Sequence, residues 1–299
     1  MLLYLARKNA FMAGNVRFGP AGLPLYPFEG GIVEAMGYLN AEGLDAMEVE
    51  FVRGVKLGKE TAAKARAEAE RNGIELSCHA PYWINCAAKD AVKLKNTIRN
   101  LMETARAAHA LGADIIVFHP AFYLGRRREE VLKETRKTLS EVWERMKSEG
   151  VKGVWLGAET AGKLTQFGGL DETLELAATT EGVKPVIDFA HLHARGNGWI
   201  KNRKQYEEIF SKMEKALGRE AVEGFHSHFS EIVFTEHGER NHVPLDSLLE
   251  HSPDFKPLAE LLAENGYSGT IICESPMLDM DARKMKRIYE EALKKEGGR

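Results

Sequence analysis

An α/β fold, a (β/α)8 TIM barrel spanning residues 1–299 as a single domain, is predicted by three features of the sequence. Eight short apolar runs alternate with helical stretches, and no Pro/Gly/Ser-rich linker divides them. Such alternation implies parallel strands joined by right-handed crossovers. A length of 299 residues, 44% of them hydrophobic, suits one large barrel with a sizeable core. The phosphate-binding pattern GxGxxG of an open doubly wound sheet, the competing fold, is absent after the first strand. In such a barrel the strand exits form the catalytic face.

The first strand is expected around 16–18, followed by a Gly- and Pro-rich loop to Gly31 and a helix over 32–39. DAMEVEF is the second strand. Residues 59–72, rich in Ala, Glu, Lys and Arg and stopped by Asn72-Gly73, predict a helix leading into ELSCHA. Over 90–111, Leu94, Ile98, Leu101, Met102 and Ala105 fall on one helical face; Gly112 ends it and DIIVFH follows. Helices over 128–149, 170–181 and 202–217 precede the strands VWLGAE, KPVID and VEGFHSH. A helix over 255–265, the strand GTIICE and a helix over 279–295 close the chain.

Composition narrows the class. Charged residues make up 28% of the chain with a net charge of −3, which describes a soluble globular protein whose anionic partners must be met by local features. The apolar patch in MLLYLARKNAFMAG is too short and interrupted for a signal peptide, and no run approaches a membrane span; no membrane partner and a cytoplasmic location are expected. Cys78, Cys86 and Cys273 are an odd number without CxxC spacing, which argues against a disulfide framework. Cys78 and Cys273 each precede a candidate ligand, so strand alternation turns them the other way, as small apolar groups.

Six apolar runs end in a residue able to hold a metal: His79, His119, Glu159, Asp188, His228 and Glu274. His191 and His242 lie in the loops beyond. Three carboxylates with imidazoles suit zinc, manganese or iron and lack the all-oxygen character of a calcium site. Clustered carboxylates repel one another unless a cation offsets them. His226 faces as His228 does but one layer deeper, and His193 lies two residues beyond His191; both are weaker candidates. His109, His237 and His251 read as surface residues.

HAPYWIN, FHP, GAETAG, IDFAH, HFS, the H-x-x-L at His242 and CESP resemble, in order and spacing, the motifs of the endonuclease IV family, over about 79–274. The resemblance implies a TIM barrel with a cluster of divalent metals, usually zinc, that hydrolyses DNA 5′ to abasic sites and leaves a 3′ hydroxyl. By position it implies that His79, His119 and Glu159 hold one metal, that Glu159, Asp188, His228 and Glu274 hold a second, and that His191 and His242 belong to a third. The family has an Asp two residues before the last histidine, where this chain has Arg240. A positive side chain there opposes a third cation; two metals are expected, and a third only if Glu239, or the more distant Asp246, substitutes. Glu159 is the first catalytic candidate, since a carboxylate shared by two metals can orient a hydroxide between them; Glu274 is the second. Tyr82, with Trp83 beside it, falls where the family inserts an aromatic next to the lesion. Arg53, Arg126, Arg127, Arg128, Lys163, Arg195 and Arg240 lie beyond strand exits and are candidates for duplex phosphate contacts by a monomeric protein.

Two other readings stay open. The quartet Glu159, Asp188, His228 and Glu274 also suits a xylose-isomerase-like sugar isomerase or epimerase using one or two divalent ions, which has no need of His79, His119, His191 and His242. An altered third site would also suit a metal-containing protein that binds damaged nucleic acid without cutting it.

Overall fold

Runs such as Ile115–Phe118 are apolar on both faces and are stable only where both faces are covered. The structure, a computed structural model describing residues 15–247 and 252–297, covers them with helices outside and with each other inside. Eight parallel strands run β1 (Val16–Pro20), β12 (Gly269–Cys273), β9 (Phe225–Phe229), β8 (Val183–Asp188), β6 (Trp155–Glu159), β4 (Ile115–Phe118), β3 (Glu75–His79) and β2 (Ala46–Glu50). The ring closes between β1 and β2 through an Ala21–Glu48 bridge and a 2.9 Å bond from Gly22 N to Glu48 O. Closure demands glycine at position 19, where a Cβ would lie 1.8 Å from Ala46 O.

The crossover helices are α1 (Ile32–Ala41), α2 (Lys59–Asn72), α3 (Ala91–Leu111), α4 (Arg128–Ser148), α5 (Leu170–Thr179), α7 (Arg203–Leu217) and α8 (Phe255–Asn265), and α9 (Leu278–Gly297) follows the last strand. Their ends follow local chemistry: Asp90 caps α3 by accepting from Lys93 N, and Gly112 stops it in the left-handed region at φ 75°. Ile98, Leu101, Met102 and Ala105 of α3 are buried, as their spacing predicts. The main core lies between sheet and helices, with Phe18, Phe118, Phe189 and Phe210 fully covered and the free thiols of Cys78, Cys86 and Cys273 among them.

Inside the ring the lining is divided. Ile115, Val117 and Val186, with Trp155, form a small apolar cluster on one side. Glu48, Ser77 and His226 fill the other, above an Arg17–Glu75 ion pair at 2.7 Å.

Three elements depart from expectation. Residues 189–195 form a helix, α6 (Phe189–Arg195), capped by Asp188 through His191 N, so His191 is helical rather than in a loop. Residues 231–243 form a hairpin of β10 (Glu231–Thr235) and β11 (Gly238–Val243), which places His242 on a strand. A two-residue pair, β5 (Ala121–Phe122) with β7 (Gln166–Phe167), ties the loop after β4 to that after β6. The apolar patch at 1–14 and His251 lie outside the described residues. No helix among the described residues is long and apolar enough to cross a membrane.

Candidate functional site

The strand exits carry their polar side chains to one end of the barrel. His79, His119 and Glu159 converge there, as do Glu159, Asp188, His228 and Glu274, and Asp188, His191, His242 and Glu274; within each group one donor atom per residue lies within 4.8 Å of the others. Glu159 joins the first two groups: its Oε2 lies 3.2 Å from His79 Nε2 and 3.4 Å from His119 Nδ1, its Oε1 3.3 Å from His228 Nδ1. His228 Nδ1 is also 3.2 Å from Glu274 Oε1. Parallel pairing produces this, since Asp188 and His228 are register partners and His119 and Glu274 follow their strands directly onto the open face.

These donors suit a divalent cation on two counts. Glu159 Oε1, Asp188 Oδ2, His119 Nδ1, His228 Nδ1 and Glu274 Oε2 are buried without hydrogen-bond partners, a costly state that a bound cation relieves. The imidazoles are also set to ligate: His79 Nδ1 lies 2.8 Å from Ala80 O and His191 Nδ1 2.9 Å from Thr160 O. A carbonyl only accepts, so Nδ1 holds the proton and Nε2 offers its lone pair to the cluster.

The third corner is built by a β-bulge. In the hairpin Val233 pairs with Asn241 and Phe234 with Glu239, which leaves Arg240 as the extra residue. Three positions apart, Glu239 and His242 would face opposite ways on a regular strand; the bulge puts them on one face with Ile232 and Phe234, against α6. Glu239 Oε2 reaches 3.1 Å from His191 Nε2, while Arg240 is exposed. Two glycines make the approach possible: Gly238, at φ 101°, lies against Gly162, where a Cβ would fall 2.2 Å from Glu239 Oε2. Of the carboxylates near the position of Arg240, Glu239 is therefore the one that faces His191, whereas Asp246 is exposed and lies 3.4 Å from Lys284.

Without a cation the cluster balances itself by proton placement. Burial penalises the Glu159 carboxylate, but the His119 charge and the contacts of His191 and His228 hold it well below the usual range. Burial also opposes protonation of His79, yet the bond to Glu159 and the charge of Glu50 push it up to about 10. Burial drives Asp188 well above its ordinary value, with Glu274 and Glu159 adding to the rise, and lowers His119 and His242.

Two carboxylates on β2 were not anticipated. Glu48 is fully buried beneath the cluster against His226 and His228, and Glu50, the register partner of His79, is pushed up to about 8 by burial. The pattern Glu-x-Glu in a buried strand was the available signal. His226 sits one layer below His228, as alternation predicts, and His193 packs edge-on to Phe234 with ring centroids 5.2 Å apart.

The rim divides the basic candidates. Arg195 is a correction: its guanidinium holds the carbonyls of Lys163 and Gln166 at 2.8 and 3.0 Å and is mostly buried, so it fixes the loop after β6 instead of facing outward. Arg126 is likewise bonded to the Phe122 and Tyr123 carbonyls, and Arg128 pairs with Glu172 and Glu175. Arg127, 80% exposed, pairs with Glu130, one turn along. Lys163 lies half-exposed, 3.5 Å from Glu239, and Arg53 and Arg240 are exposed. Tyr82 and Trp83 are 62% and 42% exposed, their rings edge to face at 4.9 Å.

A closed parallel β/α barrel with a cluster of imidazoles and carboxylates at its mouth defines the class: a barrel equipped to hold divalent cations at its strand exits. A family model described as xylose isomerase-like TIM barrel matches residues 37–295, and the chain belongs to that family. An uncharacterized protein of Methanocaldococcus jannaschii is 36% identical over 274 residues, 92% of this chain and 97% of its own length. A probable endonuclease 4 of Mycoplasma pneumoniae is 31% identical over 160 residues; the chain spans about half of it, 53%. Endonuclease IV from Thermus thermophilus superposes with a TM-score of 0.66 at 19% identity, covering 93% of this chain and 99% of that one. A D-tagatose 3-epimerase-like protein gives 0.66 at 22% identity, covering 88% and 95%.

Proposed function

We propose that the protein is a divalent-metal-dependent phosphodiesterase that cuts duplex DNA on the 5′ side of abasic sites and leaves a 3′ hydroxyl. The observation that carries the reading is the doubled site: Glu159 belongs both to a group with His79 and His119 and to a group with Asp188, His228 and Glu274. A phosphodiester needs charge offset on both the attacking and the leaving side, which two adjacent cation positions supply. The relatives named probable endonuclease 4 lend support.

In this reading zinc, or manganese in its place, loads the two groups, and Glu239 completes a third position with His191 and His242. Bound divalent ions acidify water and take up charge on phosphate oxygens. The chain supplies the rest. Glu159, shared by two groups and fully buried, orients the attacking water, and Glu274 lines the same pocket. Tyr82 and Trp83 have apolar company: among the described residues, seven of the nine most exposed large apolar side chains, including Leu23, Tyr26, Val52, Leu124 and Leu164, sit in loops beyond strand exits. An apolar rim with Arg53, Lys163 and Arg240 within it suits a nucleic acid whose bases are partly unstacked.

A second reading, a sugar isomerase or epimerase, is favoured by the quartet of Glu159, Asp188, His228 and Glu274, sufficient by itself for one cation. The deciding experiment is nicking of a labelled duplex containing one abasic-site analogue, with and without chelator, beside a panel of ketoses. A chelator-sensitive cut 5′ to the lesion, lost in Glu159→Gln with metal content retained, is expected. Interconversion of sugars without cutting overturns the proposal in favour of the isomerase, and uncut DNA with retained binding leaves a non-catalytic binder.

A further inference from the structure

His228 differs from His79 and His191 in how it meets the cluster. His79 and His191 give Nδ1 to backbone carbonyls and turn Nε2 to the site. His228 faces the site with Nδ1, 3.3 Å from Glu159 and 3.2 Å from Glu274, and no carbonyl meets its Nε2. What faces that nitrogen is Glu48 Oε1, at 3.1 Å. Both atoms are buried and neither has a hydrogen-bond partner, so their 3.1 Å contact is an ion-pair approach that leaves the two polar atoms facing each other. Glu48 is itself held: its Oε2 accepts from Ser77 Oγ at 2.7 Å and lies 3.1 Å from His226 Nε2. The four side chains come from β2, β3 and β9 and meet in the polar half of the interior, with 3% exposure or less for Glu48, Ser77 and His228 and 8% for His226.

We propose that Glu48 is a positioning residue for the cluster: as a carboxylate it can only accept, so it keeps the His228 proton on Nε2 and presents the Nδ1 lone pair to the corner shared with Glu159 and Glu274. Ser77 and His226 fix the carboxylate that fixes the histidine. This rests on the reading that the cluster loads divalent ions, and concerns affinity for them rather than the reaction. Carboxylates behind ligating histidines act this way by fixing the tautomer and raising ligand basicity, and losing one weakens metal binding about 10- to 100-fold. The same atoms admit an opposing arrangement, since Glu48, His226 and His228 also bring donor atoms within 4.8 Å of one another and form a possible cation pocket of their own.

The test is zinc binding by the full-length protein and Glu48→Gln, measured by competition with a chromogenic chelator and by counting zinc at saturation. Nitrogen NMR of the zinc-loaded wild type, labelled with 15N-histidine, accompanies it. Glu48→Gln keeps shape but offers an amide that can donate, so we expect its weakest zinc to bind about 10- to 100-fold less tightly at an unchanged count. In the wild type, His228 should carry its proton on Nε2 and zinc on Nδ1. Wild-type affinity in Glu48→Gln, zinc on Nε2 of His228, or a zinc lost with Glu48 because it sat between Glu48, His226 and His228, would each overturn the proposal. The wild-type spectrum decides the matter if the variant does not fold. Wild-type protein that takes up no zinc overturns both this proposal and the metal reading beneath it, whereas zinc uptake indifferent to Glu48 overturns this one alone.

Discussion

Raising the pH should destabilise the metal-free protein, and His79 sets the least size of the effect. Its imidazole is 13% exposed, bonded to Glu159 at 3.2 Å, and its pKa stands at about 10 against an ordinary 6.5. The fold therefore holds a proton that the unfolded chain has released by neutral pH. Stabilisation from that proton is complete below about pH 6.5 and is lost as pH rises toward about 10. One such proton changes stability by about 1.4 kcal/mol per pH unit, so from pH 7 to 9 the loss is about 2.5 kcal/mol. With an unfolding entropy of about 2.1 cal/mol/K per residue, that lowers Tm by about 4 °C. Glu50 acts in the same direction: burial raises it from 4.5 to about 8, so its cost is absent below pH 4.5 and complete above 8. Zinc-loaded protein should show the opposite trend, because ligation needs deprotonated imidazoles and strengthens with pH. The assay is calorimetry of chelated and zinc-loaded protein at matched pH. A chelated Tm that stays level or rises between pH 7 and 9 refutes the reasoning.

Three further outcomes follow from the site. Glu239→Ala should remove one zinc per chain or weaken it at least about 10-fold in chelator competition, whereas Arg240→Ala should leave zinc content unchanged. Arg195→Ala should lower stability by about 2–3 kcal/mol through the loss of its carbonyl partners, read as a Tm fall of about 3–5 °C, with the salt dependence of DNA binding unaltered; a changed salt slope would restore it as a phosphate contact. Tyr82→Ala should keep the wild-type Tm and weaken binding to an abasic duplex by about 1–3 kcal/mol in a fluorescence titration; unchanged affinity would reduce the aromatic pair to loop packing.

The barrel was legible because its strands are buried on both faces and its helices carry strong periodicity and stops, as in 90–111. The main cluster was legible because a strand exit is defined by the end of an apolar run, which any sequence displays: His79, His119, Glu159, Asp188, His228 and Glu274 meet where the runs predict. Features that depend on what a side chain meets across space were not. Arg195 reads as a rim cation until the carbonyls around it are seen. Glu48 and Glu50 were passed over because β2 ends in no histidine, although both carboxylates face the interior. The helix 189–195 hides in a segment only seven residues long, too short for periodicity to speak.

The bulge at Arg240 separates two things that alignment treats as one, a position and a role. The pattern this chain resembles has a carboxylate two residues before the last histidine, a spacing that puts both side chains on one face of a regular strand. Here it stands three residues before, and the backbone absorbs the offset. Restoring Asp at 240 would therefore add no ligand, since the bulge points that side chain to solvent; deleting residue 240 would straighten the strand and set Glu239 two residues before His242, on the same face. A lineage can therefore pass between the two arrangements by gaining or losing one residue at the bulge. Column-by-column comparison will score this protein as lacking a carboxylate that the hairpin presents from the residue next door.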